Sequence, residues 1–288
     1  MRHSTFCFGL LITCFLSPSA DAKNVVTQLA PTSKWVLDYD TTSCKLVRSF
    51  GEGDQTIVAQ FNGYGLTNVF ELRLLGRPLR IANARTVTLA FGNEISARKV
   101  KADIGRIGEK GLPLLFLGRQ SLIPRSLSSD PGQDAEITPQ QEAAIDSLTL
   151  TLPNHDVYRL QTGPMAQPMA AMRTCLDDLV RSWGLEPSEL KHVKTDAKPI
   201  GSPGGWLGPD DYPSGLNDED SNVAFVLVVN KVGEVENCYV QSVTNDPKFG
   251  STVCEKLRKR ARFHPALDES GQAVRSLYRN RVSWRVIG

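Results

Sequence analysis

The sequence predicts an α+β protein built in two unequal parts, and three observations carry that expectation. From Lys34 to about Leu160 the apolar residues fall in short runs or alternate with polar ones, with turn residues roughly every 8 to 15 positions. Near residue 170 the spacing switches to the three- and four-residue repeat of an amphipathic helix. Beyond a stretch rich in Pro and Gly, residues 212–288 show two strand-like runs, a helix-like run and a closing strand-like run.

The first residues read as an export signal. Arg2 and His3 precede an apolar run from Phe6 to Leu16, and "SPSADA" follows, in which Ala20 and Ala22 fit a small-residue cleavage site. That run is about half of the roughly 20 residues needed to span a bilayer, so residues 1–22 are read as a cleavable signal and the mature chain as having no membrane span. Thr13 stands before Cys14 where a lipoprotein signal wants Gly, Ala or Ser, so Cys14 is not read as a lipid carrier. Cleavage leaves Cys44, Cys175, Cys238 and Cys254, four cysteines that allow three pairings in an oxidising compartment. The expected location is the periplasm.

Residues 23–165 form the β-rich part. "WVLDY", "CKLVRSF", "TIVAQF", "VFELRLL", "TVTLAF", "LPLLFL" and "SLTLTL" are separated by "GEGDQ", "NGYG", "GRP" and "GN", a pattern that suits a β-sandwich or an irregular barrel. Residues 131–147 form a polar, turn-rich excursion with room for one short helix, and a last hairpin follows it.

In the segment 166–186, Met169, Met172, Leu176, Leu179 and Trp183 share one face of a helix from about Pro168 to Trp183, with Gly184 placed as a C-cap. The stripe is read as packing on the β-rich part, and Cys175 lies close to it. A Cys44–Cys175 bond is therefore the preferred pairing, worth about 4 kcal/mol in the chain-entropy model. Residues 187–211 are read as a Pro/Gly linker.

In the last part, "NVAFVLVVN" is continuously apolar, as in a strand buried on both faces or a central one. "KVGE" turns the chain into "VENCYVQSV". A helix follows, with Asp246 as N-cap, Pro247 at its first position, and Phe249, Val253, Leu257 and Ala261 on one face. Packing of that helix on its own hairpin brings Cys238 and Cys254 together, at roughly 3 kcal/mol. From Val274 the period is two: Tyr278, Val282, Trp284 and Val286 on one side, Arg275, Arg279, Arg281 and Arg285 on the other. The ten Lys and Arg between Lys248 and Arg285 are thus sorted by secondary structure into solvated faces.

Taken together, Tyr212 and Pro213, the turn at Gly233, the run Arg262, Phe263, Pro265 and Ala266, then Gly271 and Val274, resemble the C-terminal domain of the TonB energy-transducer family. The resemblance covers residues 212–288 and implies a small ββαβ fold that takes an extended peptide along a sheet edge. In that family the peptide is the N-terminal box of an outer-membrane receptor, and pairing lies near the last strand, here Arg275 to Val286. The resemblance thus implies an edge formed by Arg275, Tyr278, Arg279, Arg281 and Arg285, an envelope partner, and a link to transport. Two departures stand out. Ser221 and Asn222 replace the usual Gly before the first strand, and a cleavable signal with a β-rich part replaces the family's membrane helix and Pro-rich spacer. The β-rich part resembles exported proteins of uncharacterised role.

Catalytic and metal chemistry is not indicated. His3, His155, His192 and His264 are scattered, without metal-ligand spacing, and no nucleophile elbow, phosphate loop or dinucleotide fingerprint occurs. Asp38 and Asp40, and the adjacent Asp177 and Asp178, read as solvated surface. No cofactor, metal or nucleic acid is expected; a formal charge of +2 and arginines not interleaved with aromatics give nucleic acid no footing. Two alternatives to peptide binding are a structural envelope protein without a ligand, and a hydrolase centred on the β-rich part.

Overall fold

The computed structural model describes residues 25–81, 86–93, 97–109, 111–123, 137–216, 220–243 and 246–285. The expected signal, 1–22, lies outside the described residues, as do 131–136 of the polar excursion and Val286. The protein is a mixed α+β structure made mostly of strands, with four helices among the described residues.

The N-terminal part contains β1 (Val26–Leu29), β2 (Val36–Tyr39), β3 (Cys44–Phe50), β4 (Ile57–Gly63), β5 (Phe70–Leu75), β6 (Thr86–Phe91), β7 (Arg98–Lys101), β8 (Asp103–Ile107) and β9 (Leu112–Gln120). Helix α1 (Pro139–Ala144), β10 (Leu148–Thr151), β11 (Val157–Leu160) and helix α2 (Ala166–Ser182) follow. The strands make two open sheets, ordered β2-β3-β4-β5-β9-β8 and β1-β11-β10-β6-β7. No strand pairs one sheet with the other, so the barrel alternative is corrected.

Closure is replaced by a shared core. Alternate residues such as Leu46, Ala59, Phe61, Leu72 and Leu74 in one sheet, and Leu89, Phe91, Leu148 and Leu150 in the other, are almost fully buried. The ring of Phe91 lies 6.4 Å from Phe61 and 6.1 Å from Phe70, across the gap between the sheets. Strands β7 and β8, with sequences "RKVK" and "DIGRI", escape sequence reading because they are mostly exposed and carry little apolar signal.

Helix α1 begins with a reciprocal cap: the Thr138 hydroxyl accepts the Gln141 N–H, and the Gln141 side chain accepts the Thr138 N–H. Its Glu142 is fully buried and takes two bonds from Arg173 of α2, at 2.6 and 2.9 Å. Helix α2 buries Met169, Met172, Leu176 and Leu179. A Cys44–Cys175 disulfide ties it to the start of β3. Gly63 lets the helix approach, since a Cβ there would meet Leu176 and Met172 at 3.0 to 3.1 Å.

The stretch expected to be a linker, 187–211, carries structure of its own. It holds helix α3 (Pro187–Lys191), β12 (Val193–Thr195) and β13 (Lys198–Pro199). The rest of the chain supplies β14 (Ser221–Val229), β15 (Val235–Val243), helix α4 (Lys248–Arg260), β16 (Phe263–His264), β17 (Ala266–Asp268), β18 (Ala273–Val274) and β19 (Ser276–Trp284). β12 pairs with β17 and β13 with β16, while Trp206 is buried against Phe263 at 5.3 Å. Two- and three-residue strands show no period, so Pro and Gly content hid them. The segment is fastened at Asp211, which takes Arg260 Nη1 and Nη2 at 2.6 and 3.1 Å, the Gly208 N–H at 2.9 Å and Lys256 at 3.5 Å.

Strands β15, β14 and β19 form an antiparallel sheet in that order. One face, with Val223, Phe225, Leu227 and Val229, shares a core with Phe249, Val253 and Leu257 of α4, and a Cys238–Cys254 disulfide crosses that layer. Val226 and Val228 point the other way and belong to the core of the N-terminal part. There Tyr239 stacks on Trp183 with ring centroids 4.9 Å apart. At the start of α4 the Asp246 carboxylate accepts the Lys248 N–H at 2.7 Å, one residue ahead of the position at which the helix geometry places the N-cap, Pro247.

Two outcomes follow. Replacing Cys44 and Cys175 together by Ala should cost up to about 4 to 5 kcal/mol of stability, read from urea denaturation, because the bond closes a loop of more than a hundred residues. The Arg260 guanidinium, first among its partners, holds Asp211 down to about 2, from an ordinary 3.8. The ionised carboxylate therefore stabilises the fold above that ordinary value, and the contribution disappears as pH falls through the folded-state value. Asp211→Asn should melt several degrees below wild type at neutral pH, with the gap closing as pH falls from about 5 toward 2.

Candidate binding cleft

Strand β19 was singled out by its alternation, and its side chains divide as the alternation demands. Tyr278 joins the α4 side, its ring 4.8 Å from Phe263 and 5.9 Å from Trp206, and its hydroxyl accepts a bond from Asn280. The arginines turn to the N-terminal part or to neighbouring loops. Arg275 Nε donates to Glu236 at 2.8 Å and its Nη1 to the Gly184 carbonyl, at the end of α2, at 2.6 Å. Arg281 donates to Glu71 of β5 at 3.3 Å, and Arg285 to Asp220 at 3.1 Å. The Arg279 guanidinium occupies the space that a side chain on Gly65 would fill, and that glycine also has φ +144°. The arginines of the peptide-binding edge that the resemblance implies are thus largely engaged within the chain. The physical reason is that the sheet is covered on both sides, a fact that one strand's period cannot carry.

What β19 leaves open is its main chain. Among the described strands it pairs on one side only, with β14. The Arg281 N–H donates to the Asn280 side chain at 2.8 Å and not to β14. In an antiparallel strand, residues alternate in the side to which they turn both N–H and C=O, so the odd-numbered residues 277 to 283 turn theirs to the open edge.

Reaching this edge is a cleft of about 390 Å³, walled by β19 with Ala224 of β14 and Gln241 of β15 on one side and by Tyr64 and the ends of β5 and β9 on the other. A polar chain underlies it. Gln60 donates to Asn62 at 2.7 Å, Asn62 to the Tyr64 hydroxyl at 3.3 Å, and Tyr64 to Glu71 at 3.0 Å. Arg73 reaches the same carboxylate at 3.4 Å and lies 4.8 Å over the Phe116 ring. Gln241 of β15 donates to the Tyr64 carbonyl at 3.2 Å, a second tie between the two parts. Burial, and then the Glu71 charge, push the Tyr64 hydroxyl up to about 12, so it stays protonated and donates.

The residues of the TonB-like signature have structural work. Gly233 has φ +83°, and its Cα backs onto the Phe263 carbonyl so closely that no side chain fits. The Phe263 N–H returns a bond to the Gly233 carbonyl at 2.8 Å. Arg262 caps the end of α4 through the Ala261 and Lys259 carbonyls, at 2.8 and 3.2 Å. Ala266 is fully buried, Tyr212 meets Phe249 edge-on at 5.4 Å, and Gly271 closes the β17–β18 turn on the Asp268 carbonyl. Pro213 follows Tyr212 directly, and Pro265 separates β16 from β17.

Elsewhere the acidic pairs are spoken for: Asp38 and Asp40 flank Lys45 at 3.6 and 2.7 Å, and Asp178 pairs with Arg181 at 2.9 Å. Among the described residues, no group of three His, Cys, Asp or Glu is placed to hold a metal. Sequence reading did not single out Tyr64, Glu71, Arg119 or Gln241. The available signal was local: two charged residues inside the apolar run "VFELRLL" and a tyrosine inside the turn "NGYG". Neither a protein-family model nor a curated protein matches the chain.

Tyr64→Phe removes the hydroxyl that joins Asn62 to Glu71 and should cost about 1 to 2 kcal/mol in urea denaturation at pH 7. The neutral phenol stabilises the fold fully below its ordinary value of 10, and that contribution is lost as pH rises through the folded-state value of about 12. The difference between wild type and variant should therefore shrink on the alkaline side.

Proposed function

We propose that the chain is an envelope binding protein whose TonB-like C-terminal part takes an extended peptide segment along the open edge of β19, as the outer-membrane receptor boxes are taken in the family it resembles. The observation that carries this reading is the nine-residue strand with a ladder on one side only and an N–H, that of Arg281, directed off the ladder. Main-chain bonds from the odd-numbered residues would supply affinity, and the adjoining cleft would supply selectivity. The two disulfides fit an oxidising, extracytoplasmic setting. Among the described residues no helix is long and apolar enough to cross a membrane. A link to transport belongs to the same proposal and rests on the resemblance alone; the transducing activity itself does not carry over with the domain.

Ser283→Pro tests the edge. It removes one outward N–H and the hydroxyl's bond to Asn222 while leaving the main-chain ladder to β14 intact, and Ser283→Ala, which loses the hydroxyl alone, is the control and should bind as wild type. Binding of a labelled receptor-box peptide should weaken at least tenfold by fluorescence anisotropy, with unchanged circular dichroism. Equal affinity of variant and wild type would sink the proposal.

A further inference from the structure

We infer that the cleft beside β19 receives an acidic side chain of the segment that adds to this strand, gripped by Arg119 and Arg281. The inference rests on the edge reading above and assigns the selectivity of that edge.

Three observations lead to it. Arg279, Asn280 and Arg281 all line the cleft although they are consecutive in a strand, where neighbours face opposite sides. Ala224 of β14 and Gln241 of β15 line it as well, so the cleft runs from the face of the sheet out to the margin of β19 at Asn280, where the side chains of an added strand would pass.

The second observation is charge. Three arginines, Arg119, Arg279 and Arg281, line the cleft with a single carboxylate, Glu71. That carboxylate already takes the Tyr64 hydroxyl, Arg73 and Arg281. Arg119 stands directly across from Glu71 in the β5–β9 ladder and is exposed, and its side chain makes no hydrogen bond or ion pair among the described residues. The excess is positive, and Val69, Phe70 and Ala224 add apolar wall beside it.

The third is size. A space of about 390 Å³ has room for side chains of an added segment or for a small acid and not for a folded partner. A cation would meet repulsion there, and a neutral group would leave Arg119 uncompensated, so a carboxylate is the complementary occupant. Arg281 is shared between Glu71 and the incoming acid, while Arg119 serves the ligand alone.

The test uses a pair of capped nine-residue peptides of alternating Thr and Val that differ only at the centre, Glu in one and Gln in the other. Binding is read by fluorescence anisotropy on the full mature chain. Wild type should prefer the Glu peptide about tenfold at low salt, with the preference fading as salt rises. Arg119→Gln should bind both peptides equally, and Arg119→Lys should restore part of the preference; Arg119 is exposed, so neither variant should alter the fold. Equal affinities in wild type, or a preference that survives in Arg119→Gln, would overturn the inference while leaving the edge reading in place. A preference lost in Arg119→Gln but insensitive to Ser283→Pro supports the carboxylate pocket and removes the edge reading. Free glutarate that displaces the Glu peptide with full effect at equal concentration, alongside indifference to Ser283→Pro, reassigns the occupant to a small acid and overturns the peptide source. Binding of neither peptide overturns both.

Discussion

Strand β14 has no face left for water, and most of the architecture follows from satisfying it. Its apolar run sends Val223, Phe225, Leu227 and Val229 to one side and Val226 and Val228 to the other. Each such side chain is worth roughly 1.5 to 3 kcal/mol when fully buried, so a chain that covered one side only would forfeit a large share of its stability. Helix α4 covers the first side; α2 and the N-terminal core cover the second. The C-terminal sheet is consequently a middle layer, and helix α2 shares one core with the N-terminal strands and with Val226 and Val228.

That layering explains where charge ends up. The seam between the two parts is apolar near Trp183 and Tyr239 and polar near Tyr64, Glu71 and Arg281. Apolar contact drives the two parts together without fixing their register. Directional bonds from Arg275 to the end of α2, from Gln241 to the Tyr64 carbonyl and from Arg281 to Glu71 specify one arrangement of the sheets. Gly65 completes the fit by leaving room for a guanidinium.

Much of this was legible in the sequence where the signal is periodic. The alternation in β3, β4, β6 and β10, the stripe of α2, the four-residue repeat of α4 and the two-residue sorting of β19 each reflect a single element meeting a single surface. The position of Cys175 beside the α2 stripe pointed to its partner for the same reason, and the structure bonds it to Cys44. Features that depend on two distant segments were not legible. Nothing local in "RNR" says that Glu71, some 210 positions earlier, will meet Arg281. Nothing in "PIGSPGGWLG" but the lone Trp206 announces that the segment is anchored, because its strands are too short to repeat. The choice between sandwich and barrel was also beyond reach, since closure is decided by which edges pair and not by the pattern within any strand.

The two disulfides have a consequence for how the molecule matures. Cys44 bonds Cys175 and Cys238 bonds Cys254, so among the described cysteines each pairs with the next one along the chain. A chain that emerges N-terminus first into an oxidising space, with each thiol captured by the first free thiol to follow, arrives at the final connectivity directly. Thiol–disulfide reshuffling, a step that takes seconds to hours where pairs interleave, is then not required. In a chain that emerges this way, helix α2 would be locked to the first sheet before the strands that rest on it had appeared, and the platform for the C-terminal sheet would be ready ahead of its occupant.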